Sequence, residues 1–268
     1  MNSFYQLAQS EALVLGLLAG IVGPIVLLRK RAFFTVALTH ASFPGGIIAA
    51  LMGMNVVLGA GVFSLVLVAV LAALSRVRRQ GDQVATGVVL TGGFALGMLL
   101  QSLNPARAGA VSSYLVGSIL TVRESDVAAS AVVLAAAVIV VGVWGKELVF
   151  SSFDRVGYAA VGYSPVFIDV IALVLIAATV AVMMPAAGAI LAIALIVGPA
   201  AAARALTGRL FLLMPLAATF GVISTLGGLE ISKAWNVAAG GSMSLLAAAL
   251  FVCALLVRAG VTRLRAAR

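Results

Sequence analysis

This chain has very little charge, and almost no cysteine or histidine. Of 268 residues only 9% are charged, one is cysteine and one is histidine. The lone Cys253 excludes an intramolecular disulfide and any cysteine-based metal site. The lone His40 excludes H-E-x-x-H and any Cys/His cluster. No G-x-x-x-x-G-K-[ST] phosphate loop occurs: the one Gly-Lys pair, Gly145-Lys146, is followed by Glu147 and lacks the upstream glycine spacing. No G-x-S-x-G surrounds any serine. The sequence therefore gives no footing for an enzyme or for nucleotide capture by this chain alone.

What fills the chain instead is apolar. The hydrophobic share is 63% and the mean hydropathy +1.23. A water-soluble domain cannot hide that much apolar surface, so the solvent is lipid. The runs are continuous rather than alternating, which favours helices over a membrane barrel. The fold class expected is all-α and polytopic, with eight to nine transmembrane helices in a single domain over residues 1–268. Apolar runs suggest spans at 12–28, 34–52, 56–75, 84–103, 127–143, 166–184, 186–205, 210–229 and 241–258. No Lys or Arg precedes the first run, so it reads as a retained span rather than a cleaved signal.

The net charge of +9 is explained by topology, not by nucleic acid. Arg29-Lys30-Arg31, Arg76 to Arg79, Lys146 with Arg155, Arg204 with Arg209, and Arg258 onward all follow odd-numbered spans. That alternation predicts a multi-pass protein of the cell membrane with its N-terminus outside and its C-terminus cytoplasmic. Two stretches interrupt the pattern. Residues 104–126 are half apolar and suggest a re-entrant or interfacial helix. Residues 145–165, "GKELVFSSFDRVGYAAVGYSP", read as the longest cytoplasmic loop. Its middle, Asp154 to Gly162, suits a short helix capped by Ser152 or Asp154, displaying Phe153 and Tyr158 and ended by Gly162.

His40 stands inside a span, in "LTHASFPGG" (38–46). On a helix it shares a face with Val36 and Pro44. An ionisable group at membrane depth commonly faces a pathway, and neutral imidazole ligates zinc and related ions. The alternative is a core histidine bonded to a neighbouring carbonyl. Pro44-Gly45-Gly46 should interrupt the helix there, and such breaks line cavities.

These residues resemble a known family. "FFTVALTHASFPGG" is similar to the second-helix signature of the permease subunits of zinc and manganese ABC importers, which reads Gly-Asp-Ala-x-Ser-His-Ala-x-x-Pro-Gly. "SSYLVGSILTVRESD" (112–126), "KELVFSSFDRVGYAAVGYS" (146–164), "GAILAIALIVGPAAAARAL" (188–206) and "GGLEISKAWNVAAGGSMSL" (227–245) resemble later segments of that family, in the same order. The resemblance implies a type II-like importer permease. It implies a second permease copy, a cytoplasmic ATP-binding subunit that hydrolyses ATP, and an extracytoplasmic metal-binding protein. No permanently bound cofactor is implied, with Zn2+ or Mn2+ as cargo. The 145–165 loop would carry the coupling helix, with Phe153, Asp154, Tyr158 and Gly162 facing the ATPase.

Two family positions differ. The Asp four residues before the histidine is Val36 here, so the carboxylate–imidazole pair is absent and the balance tilts from manganese toward zinc. An acidic residue and a proline of the last segment are Asn236 and Ala238. Glu230, near the outer end of the eighth span, is a candidate substitute and would join His40 as a metal ligand. Its plainer reading is a solvated helix-end carboxylate beside Lys233. The competing functions are a secondary metal transporter or channel without an ATPase, and a membrane scaffold. A docking helix in 145–165 speaks against the first, and His40 against the second.

Overall fold

Hydrocarbon cannot hydrogen-bond an open backbone, so each apolar run closes its bonds within a helix. The computed structural model describes residues 2–74, 82–103 and 117–266, and among them every regular element is helical. In order these are α1 (Asn2–Leu28), α2 (Ala32–Ala41), α3 (Phe43–Leu51), α4 (Val56–Leu74) and α5 (Asp82–Leu103). After them come α6 (Glu124–Phe153), α7 (Arg155–Ala160), α8 (Pro165–Ala187), α9 (Ala189–Leu206), α10 (Leu210–Trp235) and α11 (Ala239–Ala266). Among the described residues eight segments are long and apolar enough to cross a bilayer, with α2 and α3 together making one of them. The remaining expected span, 186–205, is the shorter α9. Arg76, Arg78, Arg79, Arg107 and Arg268 lie outside the described residues.

Two expected boundaries change. The helix expected at 127–143 runs to Phe153, because Lys146 and Glu147 are tolerated once it has left the apolar layer. The expected 145–165 loop therefore shrinks to 154–164. Of the 104–126 segment, 104–116 lie outside the described residues. The remainder holds a 3-10 turn, Ile119–Thr121, and the start of α6. Ser118 donates its N–H to the Pro185 carbonyl at 2.9 Å, and Ile119 is fully buried.

Small residues set the closest approaches. Without a hydrophobic force between helices in lipid, association rests on dispersion and on backbones that can come close. α9 packs tightly: a methyl group on Gly198 would stand 3.2 Å from Ala247 Cβ of α11, and Ala192, Ala202 and Ala203 are wholly buried. The tighter crossing is α1 on α10. A methyl group on Gly16 would come within 2.7 Å of Val222 Cα, and one on Gly20 would collide with the backbone of Ala218. Gly16-x-x-x-Gly20 is thus the main contact ridge of the N-terminal helix.

Because the obstacle at Gly20 is backbone and cannot rotate away, Gly20→Leu should cost more than the about 1–3 kcal/mol of ordinary overpacking. The expected outcome is loss of a monodisperse detergent-solubilised species. Gly198→Leu, facing an alanine side chain, should lower the melting temperature but leave folded protein. Equal behaviour of the two variants would contradict the ranking of the two crossings.

Candidate functional site

The α2–α3 segment breaks before its proline, not at it. α2 ends at Ala41, Ser42 forms the turn, and Pro44 sits in the first turn of α3, where a missing N–H costs least. Four residues earlier stands His40. Its carbonyl would bond the N–H of residue 44 in a continuous helix, and proline has none. The break is held from outside: Ser42 Oγ donates to Met184 Sδ of α8 at 3.5 Å, and Gly93 and Gly97 of α5 press against Ala41 and Phe43.

His40 is half-buried. Phe33, Val36 and His40 form the open stripe of a helix whose other residues from Phe34 to Ala41 are buried. Pro44 is buried and off that stripe, so the shared face expected for His40 holds for Val36 only. The His40 Nδ1 lies 3.0 Å from the Val36 carbonyl and 3.0 Å from Thr39 Oγ1. Thr39 Oγ1 itself donates to the same carbonyl at 2.7 Å. A carbonyl only accepts, so its bond with the ring requires the proton on Nδ1; in the neutral tautomer that makes this bond Nε2 carries the lone pair. Among the described residues Nε2 has no hydrogen-bond partner. The Phe94 ring of α5 meets the imidazole edge-on at 6.0 Å between centroids. The neighbouring-carbonyl bond of the plainer reading is present, and it is also the bond that orients a metal-ligating imidazole.

Glu230 is elsewhere. It lies in the last turns of α10, against the start of α1, and accepts from Tyr5 Oη at 2.7 Å and from Gln9 Nε2 at 3.4 Å. Lys233 does not pair with it but lies 4.0 Å from the centre of the Tyr5 ring. α2 packs on α5, α8 and α9, whereas α10 packs on α1, α9 and α11. Within one copy the fold does not bring Glu230 to His40. Among the described residues no three His, Cys, Asp or Glu side chains gather into a metal cluster. Asn236, standing where the resemblance expects an acid, closes α10 in the left-handed conformation (φ 52°), which Asn tolerates.

At the opposite end lies α7. Asp154 caps it, accepting from the Gly157 N–H at 2.7 Å, while Ser152 turns back to the Leu148 carbonyl. Gly162 ends it with φ +93°. Tyr158 corrects the expected outward face: it is only 3% exposed, stacked on Tyr163 at 5.1 Å and edge-on to Phe150 at 5.5 Å. A six-residue helix lying on the bundle turns one large residue inward, and Tyr158 is that anchor. The outward apolar groups are Phe153, Val156 and Val161, at 64%, 81% and 66% exposure.

Two acidic residues packed between helices, one buried and one half-buried, are not evident from the sequence. Glu11, inside α1, accepts from Ser130 Oγ at 2.7 Å, and its Oε2 is buried without a partner among the described residues. Asp169, in the second turn of α8, takes Arg29 on Oδ1 at 2.9 Å and Arg155 on Oδ2. Arg29 also donates to Ser151 Oγ at 3.0 Å. Burial lowers the Arg29 pKa below its ordinary value, and Asp169 works against that fall. The missed signal was an acid near a span start facing arginines from two different loops.

The sequence as a whole matches the model of the ABC 3 transport family over residues 1–258. It is 32% identical over 254 residues to the manganese transport system membrane protein MntC of Listeria monocytogenes, covering 95% of this chain and 90% of that one. It is 34% identical over 234 residues to the zinc transport system membrane protein TroC of Treponema pallidum, covering 82% and 77%. The fold superposes with a TM-score of 0.83 and 30% identity on PsaBC from Streptococcus pneumoniae, solved in complex with a Fab, covering 94% of this chain and 91% of that one. A half-buried histidine beside a helix break, a short capped helix at the charged end and a match along nearly the whole length converge: the chain belongs to the ABC 3 transport family, as a multi-pass permease subunit of a divalent-metal importer.

Proposed function

We propose that two copies of this chain form the path of an ATP-driven importer, with zinc preferred to manganese as cargo. The observation that carries the reading is His40: a ring oriented through Nδ1, with Nε2 on the open stripe of a helix that is interrupted two residues later. Two copies would offer two such imidazoles across a shared axis. Such a site is weak, which suits an ion that must be released. Tight capture would fall to an extracytoplasmic metal-binding protein, and ATP hydrolysis to a cytoplasmic subunit docked on Phe153, Val156 and Val161 of the α7 region. The arginine-rich end, with Arg29, Arg155, Arg204 and Arg258, is then cytoplasmic and the Tyr5–Glu230 end outside. Glu230 serves as an acid at the outer entrance rather than as a ligand beside His40.

A carrier without an ATPase has no use for an exposed apolar helix tip at the cytoplasmic end. The choice of ion has a live second reading. Val36 removes the hard carboxylate that favours manganese, yet several relatives carry manganese in their names.

In cells dependent on this importer, His40→Ala should slow uptake of radioactive zinc about tenfold or more, the scale on which metal sites respond to lost ligation support, at unchanged membrane abundance. Normal zinc uptake would make His40 a packing residue. Val36→Asp should raise the manganese-to-zinc uptake ratio. A wild-type chain that already takes manganese over zinc in direct competition overturns the ion preference and leaves the permease reading intact. Val156→Asp should abolish binding of the ATPase subunit without lowering the melting temperature, because a carboxylate in a packed interface is left desolvated. Tyr158→Asp should instead unfold the α7 region, since that ring is buried.

A further inference from the structure

The Arg29–Asp169–Arg155 triad joins three elements that otherwise touch little: the end of α1, the start of α8 and the first residue of α7. Its two halves differ. The Arg29 side chain is 6% exposed, so its pairing is obligatory once the fold forms. The Arg155 side chain is 56% exposed, and an exposed ion pair adds little stability. That bond is therefore poorly explained as a structural clamp. From Asp169 to Met184, α8 contains neither glycine nor proline, and most of its residues there are buried. Fifteen residues of helix span about 22 Å. At the far end Met184 meets Ser42, the turn between α2 and α3 two residues beyond His40. One stiff helix thus touches α7 at one end and the broken segment at the other.

We infer that Asp169 is a positioning residue that ties α7 to α8 through Arg155, so that displacement of α7 is delivered along α8 to the His40 break. The inference rests on α7 being the docking helix. Arg155 holds α8 through its charge, while the outward residues Val156 and Val161 are left to face the ATPase. Binding of the ATPase and coupling to transport are then separable on this short helix.

The test uses the complete importer in lipid vesicles, measuring ATPase-subunit affinity, ATP hydrolysis and zinc or manganese taken up per ATP. Arg155→Gln should leave affinity and melting temperature unchanged while uptake per ATP falls about fivefold or more, the usual scale of coupling between sites. Arg155→Lys, which keeps the charge, should restore most of the ratio. Asp169→Asn strands the buried Arg29, so its loss of folded protein is expected and is not the readout. An unchanged ratio in Arg155→Gln overturns the inference. So does weakened ATPase binding in that variant, which would make Arg155 a docking contact, or failure of Arg155→Lys to rescue. If Val156→Asp binds the ATPase as the wild type does, the docking reading itself has failed, independently of these outcomes.

Discussion

A peptide group without a partner in hydrocarbon costs several kcal/mol, and the segment from Ala32 to Leu51 interrupts its regular helical bonding at one place, the turn at Ser42. Ser42 interrupts the helix, Pro44 withholds the N–H that His40's carbonyl would take, and the imidazole beside it bonds backbone rather than lipid. Everything around the break compensates. Met184 meets the Ser42 hydroxyl, glycines of α5 admit Ala41 and Phe43, and Phe94 covers the ring edge. A discontinuity so closely supported is a built feature.

Charge follows the same economy of placement. Outside the bilayer core, the arginines at the end of α1 and the start of α7 converge on a single aspartate. Inside it, among the described residues, Glu11 makes one hydrogen bond, to Ser130, and leaves its second oxygen unmatched. The opposite rim is held by a phenol–carboxylate bond, Tyr5 to Glu230. The two ends of the bundle are thus tied by different chemistry: ionic at one, mostly neutral donors on one acid at the other.

Much of this was legible in the residues. Apolar run length located the spans, the arginines located one end, Asp154 and Gly162 marked the ends of α7, and "LTHASFPGG" marked the break. What could not be read was partnership. A run of apolar letters does not say which face meets which neighbour, so Gly16-x-x-x-Gly20 is indistinguishable in the sequence from the rest of its span. Tyr158 looked like a surface anchor because aromatic character is local, whereas the direction it points depends on Phe150 and Tyr163. Asp169 and Glu11 were single acids in long greasy stretches, and their meaning came only from Arg29, Arg155 and Ser130, all more than a hundred residues away except Arg155. Lys146 and Glu147 suggested a loop because charge ends an apolar run, but it does not end a helix.

The pairing of α1 with α10 also bears on how the protein is made. The glycine ridge of α1 meets α10, and the Tyr5–Glu230 bond between the same two helices closes a separation of 225 residues. The other helices that α1 packs on, α6, α8 and α9, all precede α10 in the chain. During synthesis α1 therefore finds seats on those helices while the bare backbone around Gly16 and Gly20 still faces lipid. A ribosome that stalls before Leu210 leaves α1 packed on one side and its glycine groove open on the other.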